Sequence, residues 1–484
     1  MKKIILLTTS LLSLLLLNSC GDDLLDLKPP YEDTLADAIK TEDDVDKFLL
    51  GSYLKMSSGS MYGANLFYMG DLLGDSFFRS NENKGGFANL IQMNYNPTNT
   101  GSVDFYRPAY DVIQSANFVI YNELEDTQMN KKYKAEASFL RAYSYFTLLN
   151  YYASSPKSGQ FQEIGVPIAA YPYNPNEKIA RSTVGDVYTL IINDLNYAIT
   201  NAVEIPSSKI FASKVAAKLL LSRVYLTRQG AGDAELALKL SQEIVTLSES
   251  AKVGDPFKLL EDKKAYEDYF ASNKDEVSEN QPETVWELDI KTQNNPGVNV
   301  ALGVFYSRTG ASRSLLAKET FYKSIVTTDI RKDLMTVTGV PVTDNPLGVW
   351  IRKHERASSG GNYTRNTKIL RISEAYLNQV EALYQLGKNE DALNALNNFA
   401  VNKRKGSPYT GTALLTDILN ERNKEFFGEG QRFLDLKRYN LAMSRGTNCP
   451  GNCDVPANSK LFVMPFSLGQ IIVNGNAVQH PLWK

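Results

Sequence analysis

Histidine is almost missing from this sequence: His354 and His480 are the two in 484 residues. That shortage excludes most zinc chemistry, which draws its ligands mainly from His and Cys. It also excludes most triads, which need an imidazole beside the nucleophile. Cysteine is equally scarce, with three residues. No His-Glu-x-x-His run and no Gly-x-Ser-x-Gly elbow occurs. Phosphate loops are lacking as well. Gly387-Lys388 continues into Asn389 without upstream glycines, and Gly428-Glu429-Gly430 runs on to Gln431, Arg432 and Phe433 without a third glycine. Nor is there an excess of one charge: 52 Lys and Arg face 54 Asp and Glu, a formal net charge of −2 with no long run of one sign. Nothing calls for nucleic acid or an anionic surface as partner, and no motif calls for a cofactor. Glycoside hydrolysis needs only two carboxylates about 5–10 Å apart, which 54 acidic residues could supply. No motif points to catalysis, however, and the chain reads as a non-enzyme.

What is present begins at the first residues. Lys2 and Lys3 precede an apolar run from Ile4 to Leu17, broken by Thr8, Thr9, Ser10 and Ser13, and Leu17-Asn18-Ser19-Cys20 follows. A lasting membrane span needs about 20 apolar residues, so residues 1–19 read as a signal peptide. The cysteine at the cut resembles the lipobox of bacterial lipoproteins, from which Asn18 departs. The resemblance implies cleavage before Cys20 and acylation of that residue. Several acyl chains hold where one is marginal, at ~0.8 kcal/mol per buried CH₂. Gly21, Asp22 and Asp23 resemble the surface-export signal of Bacteroidetes lipoproteins, which implies the outer membrane and a face toward the medium. Cys449 and Cys453, in Asn448-Cys449-Pro450-Gly451-Asn452-Cys453, are then left in a compartment that permits disulfides. A local bridge is expected; a metal knuckle would lack ligands, and no metal is expected.

Behind a linker at 20–40, Thr41 with Asp44 reads as a helix cap, and Val45, Phe48, Leu49 and Tyr53 follow at helical spacing. Similar patterns predict helices over 106–124, 131–152, 183–200, 213–229 and 233–247. Ala217 to Val245 and Tyr376 to Phe399 share a plan of helix, glycine (Gly230, Gly387), then a second helix entered near Ala237 or Ala392. The expected fold is mainly all-α, a scaffold of tetratricopeptide-like helical hairpins with long loop insertions and a few short strands. The helical part spans about 41–250, loop-rich insertions about 251–367, and a helical part with tail 368–484. The insertions are 81–100, 171–179, 281–313, 336–367 and 449–459, rich in Gly, Pro, Asn and Ser, with short strands expected at 285–290 and 461–464.

Near the end stands Glu421-Arg422-Asn423-Lys424-Glu425-Phe426-Phe427-Gly428-Glu429-Gly430-Gln431-Arg432-Phe433-Leu434-Asp435-Leu436-Lys437-Arg438-Tyr439. Ile418, Arg422, Glu425, Phe426 and Glu429 fall at spacings of three or four, which pair charges along and between helices and send the rings inward. The segment is similar to the C-terminal signature of the SusD/RagB family of nutrient-binding lipoproteins. Lys134 to Phe146 and Ile369 to Leu377 with Glu381-Ala382 resemble two further helices of that family, and Met464-Pro465-Phe466 through His480-Pro481 resembles its ending. The family's acidic residue after that proline is missing, and His480 stands where Asn is usual.

The resemblance implies capture of oligosaccharides, or occasionally peptides, by a helical lid on a SusC-type TonB-dependent outer-membrane barrel, with no bond made or broken. Sugar C–H faces stack on aromatic rings, and hydroxyls pair with Asn, Gln, Asp and Arg. Two loops combine these types. The first offers Phe77, Phe78, Arg79, Asn81, Asn83, Phe87, Asn94 and Tyr95. The second offers Asn294, Asn295, Asn299, Phe305, Tyr306, Arg308 and Arg313. Trp350 with Arg352 is a third candidate, and Trp483 reads as tail packing. The competing class is a surface scaffold, adhesin or peptide-binding lipoprotein without sugar specificity.

Overall fold

Thr41 accepts from the Asp44 backbone N–H while the Asp44 carboxylate accepts from that of Thr41, and this capping box opens α1 (Glu42–Met56). The computed structural model describes residues 38–80, 87–100, 105–172, 174, 176–291, 297, 300–307, 315–337, 348–355 and 364–484. Cys20 and the linker up to residue 37 lie outside the described residues. After α1 come α2 (Asn65–Leu73), β1 (Phe77–Arg79), α3 (Ala88–Ile91), α4 (Tyr106–Ile120) and α5 (Gln128–Tyr152). Next are α6 (Val184–Asn201), started by a second capping box at Thr183 and Asp186, then α7 (Lys214–Arg228) and α8 (Asp233–Ser250). The chain is mainly helical, and α1, α4, α5, α6, α7 and α8 pack through successive neighbours.

The two hairpins with a shared plan meet in space. α12 (Ile372–Gln385) packs on both α7 and α8 before turning at Gly387, whose φ of +72° suits glycine, into α13 (Asn389–Asn397). At the other hairpin the left-handed positions are Gln229 and Gly232 rather than Gly230. Further helices are α9 (Lys263–Ala271), α10 (Leu302–Tyr306), α11 (Glu319–Lys323), α14 (Leu414–Phe426) and α15 (Arg432–Arg438).

The strands are short. β2 (Thr284–Leu288) pairs antiparallel with β6 (Thr367–Arg371), and Trp286 on it is fully buried, its Nε1–H donating to the Ile210 carbonyl at 3.1 Å. A separate sheet has the order β1-β3-β5-β4, formed with β3 (Leu315–Lys318), β4 (Met335–Thr336) and β5 (Gly348–Ile351). A strand was expected at 461–464; the chain instead makes a 3-10 turn at Lys460–Phe462, because the Ser459 hydroxyl accepts from the Leu461 N–H and starts a helical turn. Among the described residues no helix is long and apolar enough to cross a membrane.

Candidate functional site

β1 and β3 run antiparallel with Arg79 opposite Leu315, so the chain leaving β1 and the chain entering β3 lie at the same end of the sheet. The early and mid-chain insertions, more than 200 residues apart, are thereby brought together. Rings from both meet there. Phe77 contacts Tyr306 at 5.9 Å between centroids, and Phe87 contacts Phe305 at 5.2 Å, both edge-on. Tyr306 and Phe305 belong to α10 (Leu302–Tyr306). On the other sheet face Phe78, Leu316 and Trp350 form a row across three strands, and Gly348 leaves the space that the Phe78 ring fills.

These rings do not present stacking faces in this conformation. Phe77, Phe78, Phe305, Tyr306 and Trp350 are between 0 and 7 % exposed. Each fills the pleat or the seam against α2, where an aromatic side chain removes the most apolar surface from water. Phe87 and Arg79 are half-buried at the edge, and desolvation lowers the Arg79 pKa. Tyr95 lies apart from this cluster. Its ring meets Trp483, and its hydroxyl donates to the Leu461 carbonyl, so it packs under the tail. Arg352 is ion-paired with Glu267 at 2.7 Å and Glu355 at 3.0 Å. Asn81, Asn83, Asn294, Asn295, Asn299, Arg308 and Arg313 lie outside the described residues. As a packing residue, Trp350 replaced by alanine costs about 3–5 kcal/mol of stability. Urea denaturation checks this; an unchanged midpoint with weakened ligand binding would instead make it a contact ring.

The signature fixes this region to the scaffold. Gly430, at φ +71°, lets its backbone cross α2 so closely that a Cβ on Gly70 would sit 2.0 Å from its carbonyl oxygen. The Gly430 N–H donates to Asp71 Oδ1 at 3.2 Å, and the Tyr306 hydroxyl donates to Asp71 Oδ2 at 2.5 Å. His354 bonds the Gly428 carbonyl at 2.7 Å and packs against the Tyr306 ring. α10, which carries the mid-chain rings, is thus bolted to the C-terminal signature. Cys449 and Cys453 are joined by a disulfide. The loop they close clamps the early insertion: Asn452 donates from its backbone and its side chain to the Gln92 carbonyl, and from its side chain to that of Met93.

The signature's charges pair with one another and with neighbouring elements. Glu425 accepts from Arg404 and Arg371, Glu429 from Arg371 and Lys353, and Asp435 from Arg422 and Arg438. Burial pushes the Asp71 carboxyl up to about 7, and burial brings His354 down to about 4. The adjoining cavity, lined by Tyr62, Tyr143, Arg223, Gln431 and Arg438, is only about 40 Å³, room for water and not for a sugar ring. Among the described residues no group of three His, Cys, Asp or Glu could hold a metal ion.

Two family models match this chain in succession: one described as starch-binding and associating with the outer membrane over residues 23–226, and the SusD family over residues 264–483. The chain belongs to the SusD/RagB family. A SusD-like protein, P38, of Formosa agariphila is 22% identical and 90% of each chain is covered. A SusD-like protein of Bacteroides ovatus is 26% identical over 68% of this chain and 63% of its own. Among solved structures, a putative sugar-binding protein of Bacteroides vulgatus superposes with a TM-score of 0.78 at 24% identity, covering 92% of this chain and all of that one. A SusD superfamily protein of Bacteroides thetaiotaomicron gives 0.78 at 25% identity, over 91% of this chain and 100% of that one. Family membership gives the signature its place, as the internal lock of a SusD-like scaffold.

What sequence reasoning missed is the direction of the rings. Alternation of apolar and polar residues marks a strand with one wet face, but Phe77-Phe78-Arg79 and Leu315-Leu316-Ala317-Lys318 are buried on both, so neither alternates.

Proposed function

We propose that this protein is a lipid-anchored SusD-like lipoprotein that captures an oligosaccharide at the cell surface and delivers it to a SusC-type TonB-dependent transporter, without cleaving it. The observation that carries the reading is the succession of SusD-family matches along the chain, from residue 23 to residue 483. It is supported by the sheet end that gathers the two insertions, with Arg79, Phe87 and Phe305 at its edge. A ligand held there would draw apolar contact from the half-buried Phe87 ring and hydroxyl contacts from Arg79. Cys20 would bear the acyl chains and the acidic Gly21-Asp22-Asp23 stretch would direct the protein outward.

Native gels cast with a series of polysaccharides test this. The lipoprotein is expected to be retarded by one glycan class, and Cys20→Ala is expected to leave that retardation intact while releasing the protein from the membrane. No retardation by any glycan, with binding of peptides instead, would move the protein to the peptide-binding reading.

A further inference from the structure

Among the described residues, the aromatic side chains most open to water are those of Tyr121 and Tyr171. Tyr121, just past α4, and Tyr171 are 45 and 38 % exposed, yet their rings stack at 4.7 Å with 22° between planes. Phe118, one turn earlier on α4, meets the Tyr171 ring edge-on at 6.1 Å and in turn touches Phe48 of α1. Stacked tyrosines left open to water are unusual unless something holds them. Here both are held from beneath.

Tyr121 rests on a buried ion pair. The Arg141 guanidinium lies 5.3 Å from the centre of its ring and donates from Nη1 to its hydroxyl at 3.1 Å. The same guanidinium is locked bidentate onto Asp194 at 2.8 and 2.7 Å, and Nη1 also donates to Asn117 Oδ1 at 2.7 Å. Arg141 belongs to the 134–146 helix segment singled out in the sequence. The segment leading to Tyr171 is pinned separately: the Tyr110 hydroxyl donates to the Pro167 carbonyl at 2.5 Å, and the Ala169 N–H donates to the Tyr145 hydroxyl at 2.8 Å. Two rigid exposed rings meet a ligand at little conformational cost, because the ordering entropy is already spent in folding.

We infer that Tyr121 and Tyr171 form a second carbohydrate-contact surface, taking the apolar face of a neutral pyranose in a long glycan. The inference rests on the glycan-capture reading above. Neutral rather than acidic sugar follows from the surroundings. Glu123 is exposed two residues from Tyr121, and partial burial together with the Glu123 charge raises the Tyr171 hydroxyl pKa, whereas the charge of Arg141 is already neutralised by Asp194. A carboxylate there accepts from sugar hydroxyls and repels uronates. A long chain reaching both this surface and the sheet end gains by effective concentration.

The test uses the detergent-solubilised lipoprotein in affinity gels with starch, galactomannan, xylan and, as acidic probe, polygalacturonate. Y121A/Y171A is compared with Y121F/Y171F, which keeps both rings, and melting temperatures verify folding. The expected result is retention by a neutral polysaccharide, lost roughly tenfold in the alanine pair and kept in the phenylalanine pair. Equal retention of wild type and alanine pair overturns this surface while leaving glycan capture intact. No retention of wild type by any polysaccharide overturns both. An alanine pair that keeps its glycan but no longer co-purifies with a barrel transporter would make the patch a protein contact and also overturn the inference.

Discussion

Glu425→Ala is expected to lower the stability of this protein by about 3–5 kcal/mol, the cost of leaving buried charge unpaired. Glu425 is fully buried on α14, and its carboxylate is the meeting point of cations from three parts of the chain. Arg404 donates to it from Nε and Nη2 at 2.9 Å, Arg371 from Nη1 at 2.8 Å, and Arg331 lies at 3.4 Å. These guanidiniums hold the Glu425 carboxyl well below its usual range. Each has another anion, Asp329 for Arg331 and Glu283 for Arg371 and Arg404, so the cluster does not fly apart. It is left with surplus positive charge in a place water does not reach. Exposed pairs such as Lys47 with Asp43 contribute far less, because water and salt screen them. Urea denaturation followed by tryptophan fluorescence reads the difference as a shift in midpoint. A loss under about 1 kcal/mol would show that the cluster is solvated.

The second large effect is on acid stability. His480 is fully buried, with the Leu482 N–H donating to its Nδ1 at 3.3 Å and Ser154 Oγ 3.2 Å from its Nε2. A proton on Nδ1 would face that N–H, in a site whose burial, with Arg181 and Lys437 nearby, brings the imidazole down to about 3. The folded value lies below the unfolded one of about 6.5. Between those two values the unfolded chain binds a proton that the native chain does not, so stability falls as pH falls through that window. At pH 4.5 the loss from this residue is about 3 kcal/mol relative to pH 7.5. His480→Asn removes the titrating group and is expected to flatten the profile by that amount. Asp71 and Glu136, both raised to about 7 by burial, act in the opposite sense but equally in both proteins, and cancel in the comparison. Parallel profiles for variant and wild type would place His480 in contact with water.

The helices were legible because their signals are local. Thr41 with Asp44 and Thr183 with Asp186 close their capping boxes within four residues, and the spacing of Val45, Leu49, Tyr53 and Met56 repeats one buried face. The charge-rich signature was legible as structure for the same reason. The β1-β3-β5-β4 sheet was not. Its strands are two to four residues long, and Phe77 finds its partner at Ala317. That long-range pairing decides whether the rings of Phe78 and Trp350 face water or one another, and composition, which marks a stretch rich in aromatics and Asn, carries no such information. Tyr121 and Tyr171 escaped notice because they lie 50 residues apart in sequence; the Tyr121 ring is held by Arg141 and Asp194, which join only when α5 packs on α6.

The function proposed for this lipoprotein is capture without turnover. Isothermal titration of the lipoprotein with the oligosaccharide class that retards it, with reducing ends assayed in the same cell, tests this most directly. Saturable heat with a constant reducing-end concentration is the predicted result; reducing ends that accumulate during the titration would contradict it.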